Sequence, residues 1–276
     1  MVEWVLSGFG DEIDDDPRVQ LAVLRALGAS HVEVRSAWGV NVADFDAELT
    51  TRLAALLATH GMAVSAVASP IGKSGVYDDP VAELARLRAV VTLAQRLRSR
   101  YVRIFSFYRP PGVDVAATRD TVLRRLRAFA DLAEREGVVL VHENEKDIYG
   151  DVPARVLDLI ESVGSPALRV AWDNANFVQV GVRPFTDGYA MLRPHLEYLQ
   201  VKDALFDSGA VVPAGEGDGE LAQTVAALRD DGWRGYASLE PHLADPADPA
   251  RTGPAGFGRA ARAFAALTAA AGVTLR

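Results

Sequence analysis

The sequence predicts an α/β fold, a (β/α)₈ barrel that occupies residues 1–276 as a single domain. Short β-branched or aromatic runs, typical of buried parallel strands, alternate with longer Ala-, Leu- and Arg-rich stretches whose apolar residues recur every three or four positions. Strict alternation leaves either an open doubly wound sheet or a closed barrel. The units number eight and no G-x-G-x-x-G follows the first strand, and both observations favour the barrel.

Each unit is read from its own run of residues. The predicted strands are Trp4–Gly8, His31–Arg35, Ala63–Ala68, Tyr101–Phe105, Val138–Glu143, Leu168–Asp173, Tyr198–Lys202 and Tyr236–Glu240. The predicted helices are Pro17–Leu27, Asp44–His60, Pro80–Arg98, Ala116–Glu136, Pro153–Val163, Phe185–Leu192, Gly219–Asp231 and Gly256–Ala271. Five glycines are expected to end helices in the left-handed conformation, namely Gly28, Gly61, Gly137, Gly164 and Gly232. Pro17, Pro80 and Pro153 suit the first helical position.

The composition excludes several classes of function. The net charge of −8 disfavours nucleic acid or an anionic membrane as a partner, because both reward a basic face. The absence of cysteine excludes disulfides, thiolate catalysis and cysteine-based zinc sites. The start of the chain lacks a signal-peptide pattern, and no apolar run reaches membrane-spanning length. We therefore expect a cytoplasmic enzyme.

Four strands in the second half of the chain end in groups that can bind a hard metal ion. Glu143, Asp173 and Glu240 supply carboxylates, and Gln200 supplies an amide. The C-terminal strand ends of a barrel meet at its active-site face, so these groups are expected to converge. Oxygen-rich sites suit Mg²⁺ or Mn²⁺, and a cation would relieve repulsion among the carboxylates. The competing interpretation is that each carboxylate caps a helix or pairs with an arginine.

The order of these residues resembles that of the xylose isomerase-like sugar phosphate isomerase/epimerase superfamily. The motifs that carry the resemblance are spread over nearly the whole chain. They include Gly10-Asp11-Glu12, Ser69-Pro70-Ile71-Gly72-Lys73, His142-Glu143-Asn144-Glu145-Lys146, Asp173 with Asn176, Lys202-Asp203, Pro213-Ala214-Gly215-Glu216-Gly217-Asp218-Gly219 and Glu240-Pro241-His242. The resemblance implies a TIM barrel whose last four strands hold one divalent metal through Glu, Asp, His and Glu.

Carried over by position, the metal ligands would be Glu143, Asp173, Gln200 and Glu240. Gln200 departs from the family, which usually has histidine there in a His-x-Lys-Asp motif, and Asn176 stands where many members have a second histidine. An amide is a poorer ligand for zinc than imidazole, so lower affinity and a preference for hard ions are expected. Mn²⁺ or Mg²⁺ is predicted first, with Co²⁺ or Zn²⁺ as alternatives. A site filled only with substrate bound, or a vestigial one, is the other interpretation.

The chemistry that these residues imply is proton abstraction from the carbon beside a carbonyl. A metal ion would stabilise the resulting enediolate, with Glu143 and Glu240 as the acid–base pair. The expected substrate is a small sugar, keto sugar or sugar phosphate, acted on by an isomerase or epimerase of carbohydrate metabolism. The alternatives are a lyase or dehydratase on the same scaffold, and a barrel with a degenerate metal site that serves as a binding or accessory subunit.

Further residues are candidates for substrate binding, and each has a structural alternative. The candidates are Lys202, His242, Asn176, Lys73, Tyr108 and Tyr149. Lys202 could instead pair with Asp203 or a neighbouring glutamate, and the aromatic rings could simply pack. Arg35 and Glu33 are expected to form a structural ion pair, Arg103 is a weaker candidate, and His142 is expected to be a hydrogen-bonded structural histidine. By analogy with relatives, the chain could form a homodimer or homotetramer.

Overall fold

A computed structural model describes residues 2–244 and 252–276. Within this part of the chain, nine strands form one curled parallel sheet, and four further two-residue strands form two separate antiparallel pairs. The eight predicted strands are present as Val2–Gly8, His31–Val34, Ala63–Ala68, Tyr101–Ile104, Val139–Glu143, Leu168–Asp173, Leu196–Val201 and Tyr236–Leu239. Strands two to eight neighbour one another in chain order, and the eighth pairs with the first. A parallel bridge between Phe9 and Glu33 links the end of the first strand to the second. The predicted (β/α)₈ barrel is confirmed.

The helices surround this sheet and follow one another in the predicted order. They span Pro17–Ala26, Ala47–His60, Pro80–Arg96, Val115–Glu136, Pro153–Val163, Leu221–Asp230 and Gly253–Ala270. The predicted helix Phe185–Leu192 instead begins with a π-helical turn over Pro184–Tyr189, followed by Ala190–Leu192. Among the described residues, no helix has both the length and the apolar character that crossing a bilayer requires.

The glycines and prolines predicted at helix ends are confirmed. All five expected glycines have positive φ, between +62° at Gly61 and +89° at Gly28. Each proline predicted at a helix start lies in the first turn of its helix. Aspartate side chains accept amide hydrogen bonds at four helix starts, namely those of Asp16, Asp46, Asp79 and Asp114. These caps explain why the four helices begin directly after an aspartate.

One strand of the sheet was not predicted. Val273–Leu275 adds in parallel to the first strand, where Val2 pairs with Val273 and Trp4 with Leu275. The run is only three residues long and directly follows a helix, so its sequence carries no recognisable alternation. It pairs with the edge of the first strand that is opposite the edge paired with the eighth strand.

The barrel interior changes from apolar to polar towards the C-terminal strand ends. The apolar cluster consists of Ala66, Tyr101, Val139, Val141, Ala171 and Tyr198. Next to it, Ser7 and Ser65 hydroxyls lie 2.6 Å apart, Ser65 is 2.9 Å from the Tyr198 hydroxyl, and Tyr198 donates to Glu33 at 2.9 Å. Burial raises the pKa of Glu33 to about 7. The barrel interior is therefore apolar at its base and becomes charged towards the C-terminal ends of the strands.

His142 faces away from this interior and packs against the outer layer. It is fully buried, and a Cβ on Gly150 would lie only 2.4 Å from its Cε1 atom. The expectation that it is hydrogen-bonded is wrong, because neither ring nitrogen has a partner among the described residues. Burial lowers its pKa to about 3.

This burial predicts a pH-dependent stability. In the unfolded state His142 binds a proton as the pH falls through 6.5, whereas in the folded state it does so only near pH 3. The free energy of unfolding is therefore not reduced by this group above pH 6.5 and decreases as the pH drops from 6.5 towards 3. Relative to His142→Leu, the free energy of unfolding of the natural protein should fall by roughly 1 kcal/mol per pH unit between pH 6 and 5. Urea unfolding of both proteins at pH 7, 6 and 5 measures this difference, and parallel pH profiles would contradict it.

Candidate active site

The C-terminal strand ends surround a cavity of about 190 Å³. Its walls include seven charged residues, namely Arg35, Lys73, Arg103, Glu143, Glu145, Lys202 and Glu240. They come from the second, fourth, fifth, seventh and eighth strand ends and from the loop that follows the third strand. The cavity thus lies on the face where a parallel barrel builds its active site.

Three carboxylates meet at this mouth. Glu143, Asp173 and Glu240 each have an oxygen within 4.8 Å of the others, and all three side chains are buried. The fourth predicted ligand, Gln200, pairs in register with Asp173 on one side and with Ser238 on the other. Registered neighbours face the same side of a sheet, so Gln200 points inward with Asp173. The strand-end residues singled out from the sequence are therefore brought together.

Lys202 lies between two of the carboxylates. Its Nζ atom is 2.9 Å from Asp173 Oδ2 and 2.9 Å from Glu240 Oε2, and its side chain is 4% exposed. Of the two ion pairs considered from the sequence, the one with a neighbouring glutamate is present. Burial alone would lower the pKa of Lys202, but Asp173 and Glu240 raise it well above its ordinary value. The ammonium group therefore stays charged.

Asp203 does not pair with its neighbour Lys202 but binds a glycine-rich loop. Its two carboxylate oxygens accept the amide N–H groups of Gly215, Gly217 and Gly219 at 2.9, 3.1 and 2.9 Å. A Cβ on Gly217 or Gly219 would lie 2.5 Å from Asp203 Oδ1. The glycine-rich loop and this aspartate therefore form one structural unit, which explains the spacing of that motif.

Arg35 does not pair with Glu33 as expected. It donates to Asp11 Oδ2 at 2.8 Å and to Glu240 Oε1 at 3.0 Å, while Glu33 accepts from Tyr198. Both residues point inward by strand parity, but Glu33 lies one layer deeper in the barrel. The expected ion pair is wrong because the segments that follow the first and eighth strands offer Arg35 nearer carboxylates.

Glu240 is the most strongly paired carboxylate of the cluster. Burial alone would raise its pKa, but Lys202, His242 and Arg35 hold that pKa well below its ordinary value. Asp173 behaves differently, since burial raises its pKa despite the nearby Lys202 ammonium. Glu240 is therefore ionised in this site.

His242 adds a second contact to Glu240. Its backbone has φ of +44°, an unusual conformation for a residue other than glycine. In this conformation Nε2 lies 3.0 Å from Glu12 Oε1 and 3.4 Å from Glu240 Oε1. Burial would lower the pKa of His242, but the charge of Glu240 raises it to about 9. Glu12 also accepts from Thr252 at 2.7 Å, so its carboxylate is fixed from a second side.

Asn176 braces two of the carboxylates. It lies on the short helix Asn174–Val178, which begins directly after Asp173. Its backbone N–H donates to Asp173 Oδ1 at 2.9 Å, and its side-chain amide donates to Glu143 Oε1 at 3.0 Å and to the Asn144 carbonyl at 2.8 Å. Its predicted contact with substrate stays a prediction.

The other predicted substrate-binding residues, Lys73, Tyr108 and Tyr149, differ in whether they face the cavity. Lys73 lines the cavity, where its ammonium lies 3.3 Å from Glu145 and over the Phe105 ring. Tyr108 forms backbone bridges to Gly75 and Ile148 above the strands. The Tyr149 side chain points towards the outer helix Pro153–Val163, where its hydroxyl donates at 2.7 Å to Asp158.

Arg103, only a weaker candidate from the sequence, contacts the carboxylate cluster directly. Its Nη1 atom donates to Glu143 Oε2 at 2.6 Å, and the arginine side chain is 5% exposed. It follows Tyr101 by two residues and therefore shares the inward face of the fourth strand. An arginine inside the apolar run Tyr101–Phe105 was the available signal, since a buried cation requires an anionic partner.

The donor set suits a hard divalent ion. Glu143, Asp173 and Glu240 offer carboxylate oxygens, and Gln200 offers an amide oxygen. Both the oxygen and the nitrogen of the Gln200 side chain are buried without a hydrogen-bond partner among the described residues, which is costly unless a ligand engages them. The chain therefore contains an acidic cluster that could hold a metal ion.

Comparison with known proteins assigns the family. The family model described as "xylose isomerase-like TIM barrel" matches residues 21–265. The chain belongs to this family. The resemblance inferred from the strand-end motifs is thereby confirmed.

The similarity to an individual relative extends over only part of the chain. The chain is similar to a 2-epi-5-epi-valiolone 7-phosphate 2-epimerase of Actinoplanes sp. (strain ATCC 31044 / CBS 674.73 / SE50/110), with 30% identity over 155 residues. This match covers 56% of the chain and 55% of the relative, about half the length of each.

Solved structures of the family share the fold. A D-tagatose 3-epimerase-like protein superimposes with a TM-score of 0.79 at 14% identity, covering 99% of this chain and 98% of the other. A xylose isomerase-like TIM barrel protein from Mycobacterium smegmatis, solved in complex with magnesium, gives a TM-score of 0.72 at 20% identity and covers 97% of each chain.

Proposed function

We propose that this protein is a divalent-metal-dependent epimerase or isomerase of a small sugar, keto sugar or sugar phosphate. The observation that carries the proposal is the convergence of Glu143, Asp173 and Glu240 at the barrel mouth. The family membership and the Actinoplanes relative, an epimerase of a phosphorylated valiolone, support it. The cytoplasmic location and a homodimeric or homotetrameric state remain predictions.

Glu240 is the proposed base. Lys202 and Arg35 hold its two oxygens at 2.9 and 3.0 Å, and these cations keep it ionised and fixed in orientation. A carboxylate in this state can accept the proton from the carbon beside a substrate carbonyl. Lys202 also lines the cavity, so its ammonium can donate to a substrate oxygen.

Glu143 is the proposed partner of Glu240 in proton transfer. Arg103 and Asn176 each donate to one of its oxygens, so its carboxylate is held in a fixed orientation. Removal of a proton by one carboxylate and its return by the other would invert a carbon, which is epimerisation. Return to the neighbouring carbon would interconvert an aldose and a ketose.

A metal ion would be held by Glu143, Asp173, Glu240 and the amide oxygen of Gln200. We propose Mn²⁺ or Mg²⁺, because the donors are all oxygens. When bound, the ion would stabilise the negative charge that develops on the substrate oxygens during proton abstraction.

Deuterium incorporation tests this function. The protein is incubated in D₂O with Mn²⁺ and a panel containing ketohexoses such as D-tagatose and phosphorylated cyclitol ketones. We expect deuterium at the carbon beside the carbonyl of a converted substrate, observed by NMR, and loss of conversion after chelation of the metal. Deuterium at an inverted carbon indicates an epimerase, and deuterium at the former carbonyl carbon of a rearranged sugar indicates an isomerase.

Two outcomes would contradict the proposal. Conversion without deuterium incorporation would exclude exchangeable proton abstraction as the mechanism assigned to Glu143 and Glu240. Conversion that is unchanged by complete removal of divalent ions would exclude the proposed metal dependence. A product that has lost water would favour the dehydratase alternative, since elimination also begins with proton abstraction beside a carbonyl.

A further inference from the structure

The carboxylate cluster already contains its own counter-charges. Lys202 contacts Asp173 and Glu240, Arg103 contacts Glu143 at 2.6 Å, and all of these side chains are 5% exposed or less. Buried carboxylates need compensation by cations or hydrogen bonds. Here the protein supplies that compensation itself, so the cluster does not depend on a metal ion to be stable.

The Lys202 ammonium contacts two of the carboxylates that would hold a divalent ion. It is 2.9 Å from one oxygen of Asp173 and 2.9 Å from one oxygen of Glu240, and these two residues also belong to the predicted ligand set. A bound Mg²⁺ would require its ligand oxygens at about 2.0–2.1 Å. An ion and an ammonium that share the same two carboxylates would be separated by only a few ångströms inside a buried site, where charge repulsion is weakly screened.

Of the two remaining ligands, Glu143 and Gln200, the second gives the ion little help against this competitor. Gln200 offers an amide oxygen where the family usually has an imidazole, and an amide is a weaker ligand for transition metals. The ammonium, by contrast, is tethered to the strand end two residues beyond Gln200 and needs no binding from solution.

We propose that Lys202 competes with the divalent ion for Asp173 and Glu240, so that the ion binds by displacing the ammonium group. This inference rests on the proposed metal site. It assigns Lys202 as the residue that sets metal affinity, and the displaced ammonium would remain beside the cavity that it already lines.

Direct Mn²⁺ binding tests the competition without any assay of turnover. Titrations of free Mn²⁺, followed by electron paramagnetic resonance, compare the natural protein with Lys202→Met and Lys202→Gln. We expect each variant to bind Mn²⁺ at least tenfold more tightly. The glutamine variant retains a polar contact to the carboxylates, so it covers the case in which the methionine variant does not fold.

Two control variants separate competition from a general change in charge. Lys73→Met removes a charge from the same cavity, and Arg35→Met removes one that contacts the other oxygen of Glu240. We expect the Mn²⁺ affinity of Lys73→Met to stay within about twofold of the natural protein and that of Arg35→Met to rise less than that of the Lys202 variants.

The outcomes distinguish this inference from the proposed function. Equal or weaker Mn²⁺ binding by the Lys202 variants, or an equal gain in Arg35→Met, would overturn the competition while the metal site stands. A natural protein without detectable binding and a Lys202 variant with clear binding would support it. If none of the proteins binds Mn²⁺, the metal site itself is contradicted and the competition with it.

Discussion

Glu240→Gln is expected to lower kcat by roughly 10²–10⁴-fold, because a neutral amide cannot accept a proton from carbon. The fold should survive the change. Lys202 keeps its contact with Asp173 at 2.9 Å, and Arg35 keeps its contact with Asp11 at 2.8 Å, so neither cation is left without a carboxylate. The loss should therefore appear in turnover much more than in stability.

Steady-state kinetics and thermal unfolding of the same preparations check this result, once a substrate has been identified by the deuterium experiment. Glu161→Gln provides a matched control, because Glu161 is exposed on the outer helix Pro153–Val163. The control should leave both kcat and the melting temperature unchanged. Turnover by Glu240→Gln at the natural rate would mean that the proton is removed by another group.

Gly72→Ala is expected to destabilise the protein by about 3 kcal/mol or more, because a steric clash adds to an unfavourable backbone conformation. Gly72 has φ of +84°, and a Cβ there would lie 2.2 Å from the Phe105 carbonyl oxygen and 2.5 Å from its carbon. Both contacts are with backbone, so no side chain can rotate away. The loop that carries Lys73 into the cavity would have to shift.

Gly112→Ala is the matched control for this prediction. Gly112 has a similar φ of +76°, but a Cβ added there would meet no atom of the described residues within 4 Å. Only the left-handed backbone conformation is then penalised, at about 1–2 kcal/mol. Urea unfolding of both variants measures the difference, and equal losses of stability would show that the loop relaxes freely around Gly72.

The sequence was sufficient for the architecture because the relevant signals are local. The five C′ glycines and the helix-start prolines end and begin elements through their own backbone preferences. Positions at the C-terminal ends of parallel strands then placed Glu143, Asp173 and Glu240 at one end of the barrel. Val273–Leu275 was not predicted, because three residues show no periodicity and their partner, the first strand, is distant in the chain.

The pairing of charges could not be predicted in the same way. Lys202 is adjacent in sequence to Asp203, yet it reaches Asp173 and Glu240 on the two neighbouring strands, while Asp203 turns to glycine amides. Which carboxylate a cation meets depends on strand stagger and on depth within the barrel. Sequence spacing does not encode either quantity directly, and the misplaced Arg35–Glu33 pair has the same cause.

The loops that follow the third, fourth and fifth strands are joined by backbone hydrogen bonds. Phe105 and Phe107 donate to the carbonyls of Ile71 and Gly72, and Tyr108 bridges to both Gly75 and Ile148. These segments therefore form one hydrogen-bonded unit. A chimera that transplants one of them from a relative would lose hydrogen bonds to the other two, so an exchange of substrate preference between family members should succeed only when all three are transferred together.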